Sequence, residues 1–120
     1  MGNRRIPYHP YAMKFLCLAW GDDSVWNTLS KSEQDALLAQ DEVLRKRGDY
    51  VAAATEGSTI VRVRDGKLST SGGPYARGEK PFAGLALVEA DSLEQAIALV
   101  KDTPCGHVGA VEVWPLNEHP

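Results

Sequence analysis

Lys14-Phe15-Leu16-Cys17-Leu18-Ala19-Trp20 is the stretch on which the fold turns. In a strand, successive side chains point to opposite faces. Phe15, Cys17 and Ala19 then share one face, and Leu16, Leu18 and Trp20 share the other. Both sets are apolar, which marks a central strand covered on both sides. The run is too short to span a bilayer. Gly21-Asp22-Asp23 ends it.

Downstream, Ser30-Lys31-Ser32-Glu33 fits a capping box, in which the Ser30 hydroxyl and the Glu33 carboxylate each accept an orphan backbone N–H. The pattern predicts a helix over residues 31–47, with Ala36, Leu37, Val43 and Leu44 as its inner stripe. Arg45-Lys46-Arg47 suits the negative end of the helix dipole, and Gly48 suits the stop. Short strands follow over 49–54 and 58–64. Asp65-Gly66 signals a tight hairpin, because a type I′ turn needs positive φ at both positions. The chain returns over 67–70. Residues 82–89 make a second nearly all-apolar strand. Asp91 or Ser92 caps a second helix carrying Leu93, Ala96, Ile97 and Val100. Pro104 and Gly106 end it, and residues 109–114 form the last strand before Pro115.

The predicted order is β-α-β-β-(β)-β-α-β, which suggests an α+β, ferredoxin-like split β-α-β fold with an extra β-hairpin. Helices cover only one face of such a sheet. Leu16, Leu18 and Trp20 would lie bare on the other. Two sheets packed face to face, as a dimeric α+β barrel, would hide them, so a homodimer is expected.

Composition narrows the function classes. A chain of 120 residues is one domain, with residues 1–12 as an N-terminal arm ahead of a domain over 13–120. Pro7 and Pro10 interrupt the arm, and Ile6, Tyr8 and Tyr11 could dock it on a surface. Thirteen basic and sixteen acidic residues give a net charge of −3. The basic residues form no recurring face, which argues against nucleic acid. No signal peptide or membrane span is legible. Cys17 and Cys105 make no disulfide framework, and a reduced, cytoplasmic setting is expected. Cys17 reads as a buried small hydrophobe and Cys105 as a loop residue.

Several pieces together carry a family likeness. They are Met13-Lys14-Phe15 leading to Trp20-Gly21-Asp22, Val61-Arg62-Val63-Arg64-Asp65-Gly66-Lys67, Gly72-Gly73-Pro74-Tyr75-Ala76, Gly84, Asp91-Ser92-Leu93-Glu94-Gln95-Ala96 and Glu112-Val113-Trp114-Pro115. In order and spacing they resemble the YCII-related family, in the branch named for a DGPF motif. The resemblance covers residues 13–116. It implies a dimeric ferredoxin-like barrel with a pocket beside the glycine-proline loop. Proteins similar to this one are mostly of unknown function, and a His and Asp pair has been implicated in some relatives. The motif is degenerate here. Gly72 stands where the family has its acidic residue, Tyr75 where it has Phe, and Trp114 where its final Glu-Val-Arg-Pro has Arg. Arg77-Gly78-Glu79-Lys80 replaces the usual Glu-Thr-Lys-Glu continuation.

The candidate site gathers around that loop. Gly73 and Pro74 could aim backbone N–H groups at an anion, as amide nests do, or could simply turn the chain. Tyr75 could offer its hydroxyl to a ligand or pack as a half-buried aromatic with a wet tip. Arg77 is the best anion holder, because its fork bonds in pairs, and Lys80 lies close by in sequence. Trp20 ends the central strand at the same place. Asp22 is a candidate base or a turn cap. Glu112 is a candidate acid if it faces a cavity, and otherwise a surface carboxylate. His9, His107 and His119 have no partners at metal-ligand spacing, so no metal is expected. No P-loop, serine elbow or dinucleotide fingerprint is present, and no cofactor is expected.

These features favour a small-molecule-binding or accessory homodimer that takes a small polar or anionic ligand. The alternative is a small-molecule enzyme in which Asp22 or Glu112 supplies acid/base chemistry. A purely structural dimer module ranks third.

Overall fold

A computed structural model of the chain describes residues 13–55 and 57–118. The arm over residues 1–12, including Ile6, Tyr8, His9 and Tyr11, lies outside the described residues, as does His119. The elements run β1 (Met13–Trp20), α1 (Asp23–Trp26), α2 (Lys31–Arg47), β2 (Tyr50–Ala53), β3 (Thr59–Arg64), β4 (Lys67–Gly72), β5 (Phe82–Ala90), α3 (Leu93–Val100), α4 (Pro104–Val108) and β6 (Ala110–Pro115).

Four strands form one antiparallel sheet in the order β2-β5-β1-β6. β1 lies between β5 and β6, at the centre where its two apolar faces put it. β1-α2-β2 and β5-α3-β6 are two split β-α-β units, each with a strand of the other unit inserted between its pair. This is the ferredoxin-like α+β arrangement. The β3–β4 hairpin is a separate two-stranded sheet between β2 and β5. Asp65 (φ 52°) and Gly66 (φ 73°) both occupy the left-handed region that its turn demands.

The core lies between the sheet and the helices. Phe15, Cys17, Ala86, Val88 and Ala90 point into it from the sheet, and Leu44, Ala96 and Val100 meet them from the helices. The Ser30 hydroxyl accepts from the Glu33 N–H at 3.1 Å, and the Glu33 carboxylate accepts from the Ser30 N–H at 2.8 Å, completing the capping box. Gly48 closes α2 at φ 99°. Ser92, rather than Asp91, caps α3 by accepting from the Gln95 N–H. At Gly84 a Cβ would stand 2.4 Å from the Ala52 carbonyl oxygen, so β2 and β5 meet there only because the side chain is absent.

Three expectations need correction. Only Leu37 and Leu44 of the α2 stripe are buried, while Ala36 and Val43 are exposed. On α3 the buried residues are Ala96 and Val100, with Leu93 and Ile97 exposed. Each helix touches the sheet along a narrow seam, and positions about 100° round the helix fall outside it. Pro104 does not end the second helix. It opens α4 at the first-turn position, where its missing N–H matters least, and Cys105 is therefore helical.

The opposite sheet face carries no helix among the described residues. Leu16 pairs with Leu87 and Trp114, Leu18 with Leu85 and Glu112, and Trp20 with Phe82 and Ala110. Leu16, Leu18, Trp20, Leu85 and Leu87 are only partly covered, and Trp114 is 50% exposed. The hairpin adds Val61, Val63 and Leu68 on one of its faces, all exposed.

No helix among the described residues is long and apolar enough to cross a membrane.

Candidate functional site

The site is built where β1 ends and the 73–80 loop re-enters the sheet. Gly21 N–H donates to the Pro81 carbonyl at 2.9 Å, which ties the two segments together. Trp20, at the last position of β1, meets Phe82 edge-on, with ring centroids 5.4 Å apart. The β1–β5 register shifts between Ala19 and Trp20, and the indole lines the same concavities as the loop.

Two concavities flank the loop. One, of about 1730 Å³, runs between the loop and β3; Trp20, Gly73, Pro74, Tyr75, Arg77 and Lys80 all line it, together with Phe82 and Arg62. The other, of about 630 Å³, lies on the far side; Trp20, Arg77, Glu79 and Lys80 form one wall and His107, Ala110 and Glu112 the other. Every ligand-binding candidate named above therefore lines a single groove. Glu112 joins Trp20, Arg77 and Lys80 in the second pocket. Asp22 lines neither, but bonds to Lys80.

Asp22 is a cap. Its carboxylate accepts from the Ser24 N–H at 3.0 Å and from the Ser24 hydroxyl, at the N-terminus of α1. Lys80 Nζ stands 3.3 Å from Asp22 Oδ1 and 3.1 Å from Ser24 Oγ, anchoring the end of the loop to that cap. The Ser24 hydrogen bonds, followed by the Lys80 contact, hold the Asp22 carboxyl below its ordinary pKa. A carboxylate so held is a poor proton acceptor near neutrality.

The loop amides do not form an open nest at Gly73. Its N–H donates to the Ser58 carbonyl at 3.0 Å, and Pro74 has none. A Cβ at Gly73 would stand 2.1 Å from Ser58 Oγ, so glycine is required here by close approach, not by positive φ. The Gly73–Pro74 peptide is cis. Tyr75 is 78% exposed rather than half-buried, and the Arg62 guanidinium lies 5.4 Å from its ring centroid. Arg77 makes no hydrogen bond or ion pair among the described residues, so its fork is free for a ligand.

Two site residues escape sequence reasoning. His107 lines the smaller pocket with its Nε2 2.9 Å from Asp102 Oδ1. The short helix α4 folds His107 back toward Asp102, and the only available signal was Pro104 read as a helix start. Lys101 also bonds Asp102 at 2.7 Å, and together these partners pull the Asp102 carboxyl below its usual range. Arg62, on β3, borders the larger groove.

Among the described residues, no group of three or more His, Cys, Asp or Glu side chains is placed to hold a metal ion. The arrangement offers free and anchored cations, two aromatic surfaces, and a carboxylate and an imidazole facing one pocket. That chemistry suits holding a small anionic or polar molecule.

Comparison with curated proteins gives no match. The YCII-related domain matches residues 13–119, which takes in both split β-α-β units, the hairpin and the whole of the loop-side site. The chain belongs to the YCII-related family.

Proposed function

We propose that this chain is a small-molecule-binding homodimer whose ligand, a compact polar molecule or anion, sits beside the 73–80 loop. The observation that carries the reading is the convergence of Trp20, Arg77, Lys80, His107 and Glu112 on a pocket of about 630 Å³. That volume lies within the range of small-molecule sites. Arg77 supplies an unengaged bidentate donor, and Trp20 supplies an apolar floor.

The bare sheet face supports the dimer. Trp20, Ala110 and Glu112 belong both to that face and to the pocket wall. A second sheet packed there would roof the pocket and exclude water from it. Gly72-Gly73-Pro74-Tyr75 supports reading the chain as one of the DGPF branch with that motif altered. The two free cysteines fit a reducing, cytoplasmic setting.

The alternative, an acid/base enzyme, is favoured by one observation: Glu112 and His107 line the same pocket, and Asp102 backs His107. Of the two carboxylates, Glu112 makes no hydrogen bond or ion pair among the described residues, whereas Asp22 is committed to its cap.

Calorimetric titration with inorganic phosphate, malonate and citrate tests the proposal. Saturable binding of at least one is expected, with Arg77→Ala weakening it about 10- to 100-fold, the usual worth of a charge-assisted hydrogen bond. Absence of binding by all three, or an Arg77→Ala affinity equal to the native one, would overturn it. Turnover of a bound metabolite that Glu112→Gln abolishes without loss of affinity would move the assignment to the enzyme.

A further inference from the structure

A third cavity, of about 220 Å³, lies on the opposite side of the sheet, beneath the helices. Its walls are made of short side chains: Ala19 on β1, Val51 on β2, Ala86 on β5 and Val111 on β6. Thr103 and Cys105 close it from the α3–α4 side, and Asp41 and Arg45 line it from α2.

Asp41 is out of place there. It follows Leu37 by four residues and precedes Leu44 by three, so it occupies the centre of the buried seam of α2, where an apolar residue would complete the stripe. The other polar groups on this side are satisfied. Gln40 Nε2 donates to the Leu99 carbonyl at 2.7 Å, and the Thr103 hydroxyl donates to the Val100 carbonyl at 2.6 Å. Arg45, one turn further on, donates to Glu42 instead. Asp41 is partly buried and makes no hydrogen bond or ion pair among the described residues. Burial pushes its carboxyl above the ordinary value, with the Arg45 charge opposing. The Cys105 thiol is pushed up by burial and then by the negative charge of Asp41, which places the two within electrostatic reach.

Most of the wall is hydrocarbon, Arg45 on its rim is turned to Glu42, and an acceptor-only group so placed calls for a donor with a hydrocarbon body. We propose that this cavity is a second ligand site, for a small aliphatic ammonium ion whose nitrogen bonds Asp41 and whose chain packs on Ala19, Val51, Ala86 and Val111. A dry cavity of about 150 Å³ accepts benzene, so the space suffices for about six to eight heavy atoms. A carboxylate ligand would meet the Asp41 charge head-on. An alcohol would make the hydrogen bond without the charge attraction. The site shares only Ala83 with the larger loop-side groove and nothing with the smaller pocket, so the loss of either can be read separately.

The test is an NMR titration of the full chain at pH 7 with n-butylammonium chloride, n-butanol and butyrate. Saturable shifts at the backbone amides of Ala19, Val51 and Ala86 are expected with n-butylammonium, with n-butanol at least tenfold weaker and butyrate silent. Asp41→Asn, which keeps the shape, should weaken n-butylammonium at least tenfold and leave n-butanol within twofold. Ala86→Leu should abolish both by filling the space. If Ala86→Leu fails to give a native spectrum, Val111→Ile fills the same cavity more gently and should weaken both. Non-saturating shifts, shifts centred on Glu112 or Asp22, or equal affinity in Asp41→Asn would overturn the proposal.

Discussion

Trp114→Glu is expected to break the proposed homodimer while leaving the subunit folded. Trp114 lies on β6, opposite Leu16, on the sheet face that no helix among the described residues covers, and half of it is exposed. A Trp buries about 200 Å² when fully enclosed, so roughly 100 Å² remains for a partner to cover. At about 25 cal/mol per Å², that is about 2.5 kcal/mol per copy. A two-fold interface uses each residue twice, giving about 5 kcal/mol, or a dissociation constant about 4,000-fold weaker. Imperfect burial at half that efficiency still gives about 70-fold. The folded subunit should lose only about 1 kcal/mol, as is common for a half-exposed edge position. Sedimentation velocity over a wide range of protein concentrations reads the dissociation constant, and circular dichroism with a thermal melt checks the fold. A native chain that sediments as a monomer throughout, or a Trp114→Glu variant that dissociates no more readily than the native one, would refute the reasoning.

Three further outcomes follow from the side that the helices cover. Asp49→Ala should lower stability by about 1–3 kcal/mol in a urea melt, because it leaves the Glu89 N–H and the part-buried Arg47 without their acceptor. The Asp49 carboxylate is fully enclosed, meets Arg47 Nε at 2.8 Å and accepts from the Glu89 N–H. Cys17 should make the fold sensitive to alkali. Its unfolded thiol titrates near 9.0, and burial raises the folded value to about 11, with the Asp49 charge adding to the shift. Above pH 9 the unfolded chain therefore binds fewer protons, so this contribution is intact below pH 9 and falls, by up to about 2–3 kcal/mol, as the pH rises toward 11. Cys17→Ala should flatten the pH dependence of the urea midpoint in that window relative to the native chain. Asp41→Leu should raise stability by about 1–2 kcal/mol in the same melts, since it completes the apolar seam of α2 and fills part of the cavity beneath it.

The strands were legible and the helix faces were not, for a physical reason. Strand side chains alternate with a period of two, so Phe15 and Cys17 must share a face opposite Leu16 and Leu18 once the strand is identified. Asp65-Gly66 fixed the hairpin, because few residue pairs accept left-handed dihedrals in succession. A helix has no such binary choice. Ala36, Leu37, Val43 and Leu44 span a broad arc, and only the sheet decides which edge of it is buried. That edge proved to be Leu37 and Leu44, leaving Asp41 between them. The loop site was legible as a neighbourhood: all six ligand-binding candidates line one groove. Its wiring was not. Asp22 to Lys80 and Gly73 to Ser58 are contacts between segments far apart in sequence, and no local pattern encodes them. His107 was missed because its contact with Asp102 depends on α4, which a Pro-Cys-Gly-His run does not announce.

The two faces of the sheet pose opposite problems in one molecule. On the bare face the side chains are large, and what is missing is a surface to cover them. Leu16, Leu18, Leu85, Leu87 and Trp114 supply ample apolar area, but among the described residues no other element is placed there, since both long helices lie on the other side. On the helix face the covering layer is present and the side chains are too small to fill it. Ala19, Val51, Ala86 and Val111 line the space that the seam residues of α2 and α3 leave open. Lengthening Ala19 or Ala86 would have closed the gap at a gain in stability, and Asp41 would then have had no room. Short walls and an inward carboxylate coincide at one place, as expected if the space is used, and filling the space separates the two explanations: a variant with longer walls should be more stable and should lose the ammonium site, whereas a mere packing defect would show only the first effect.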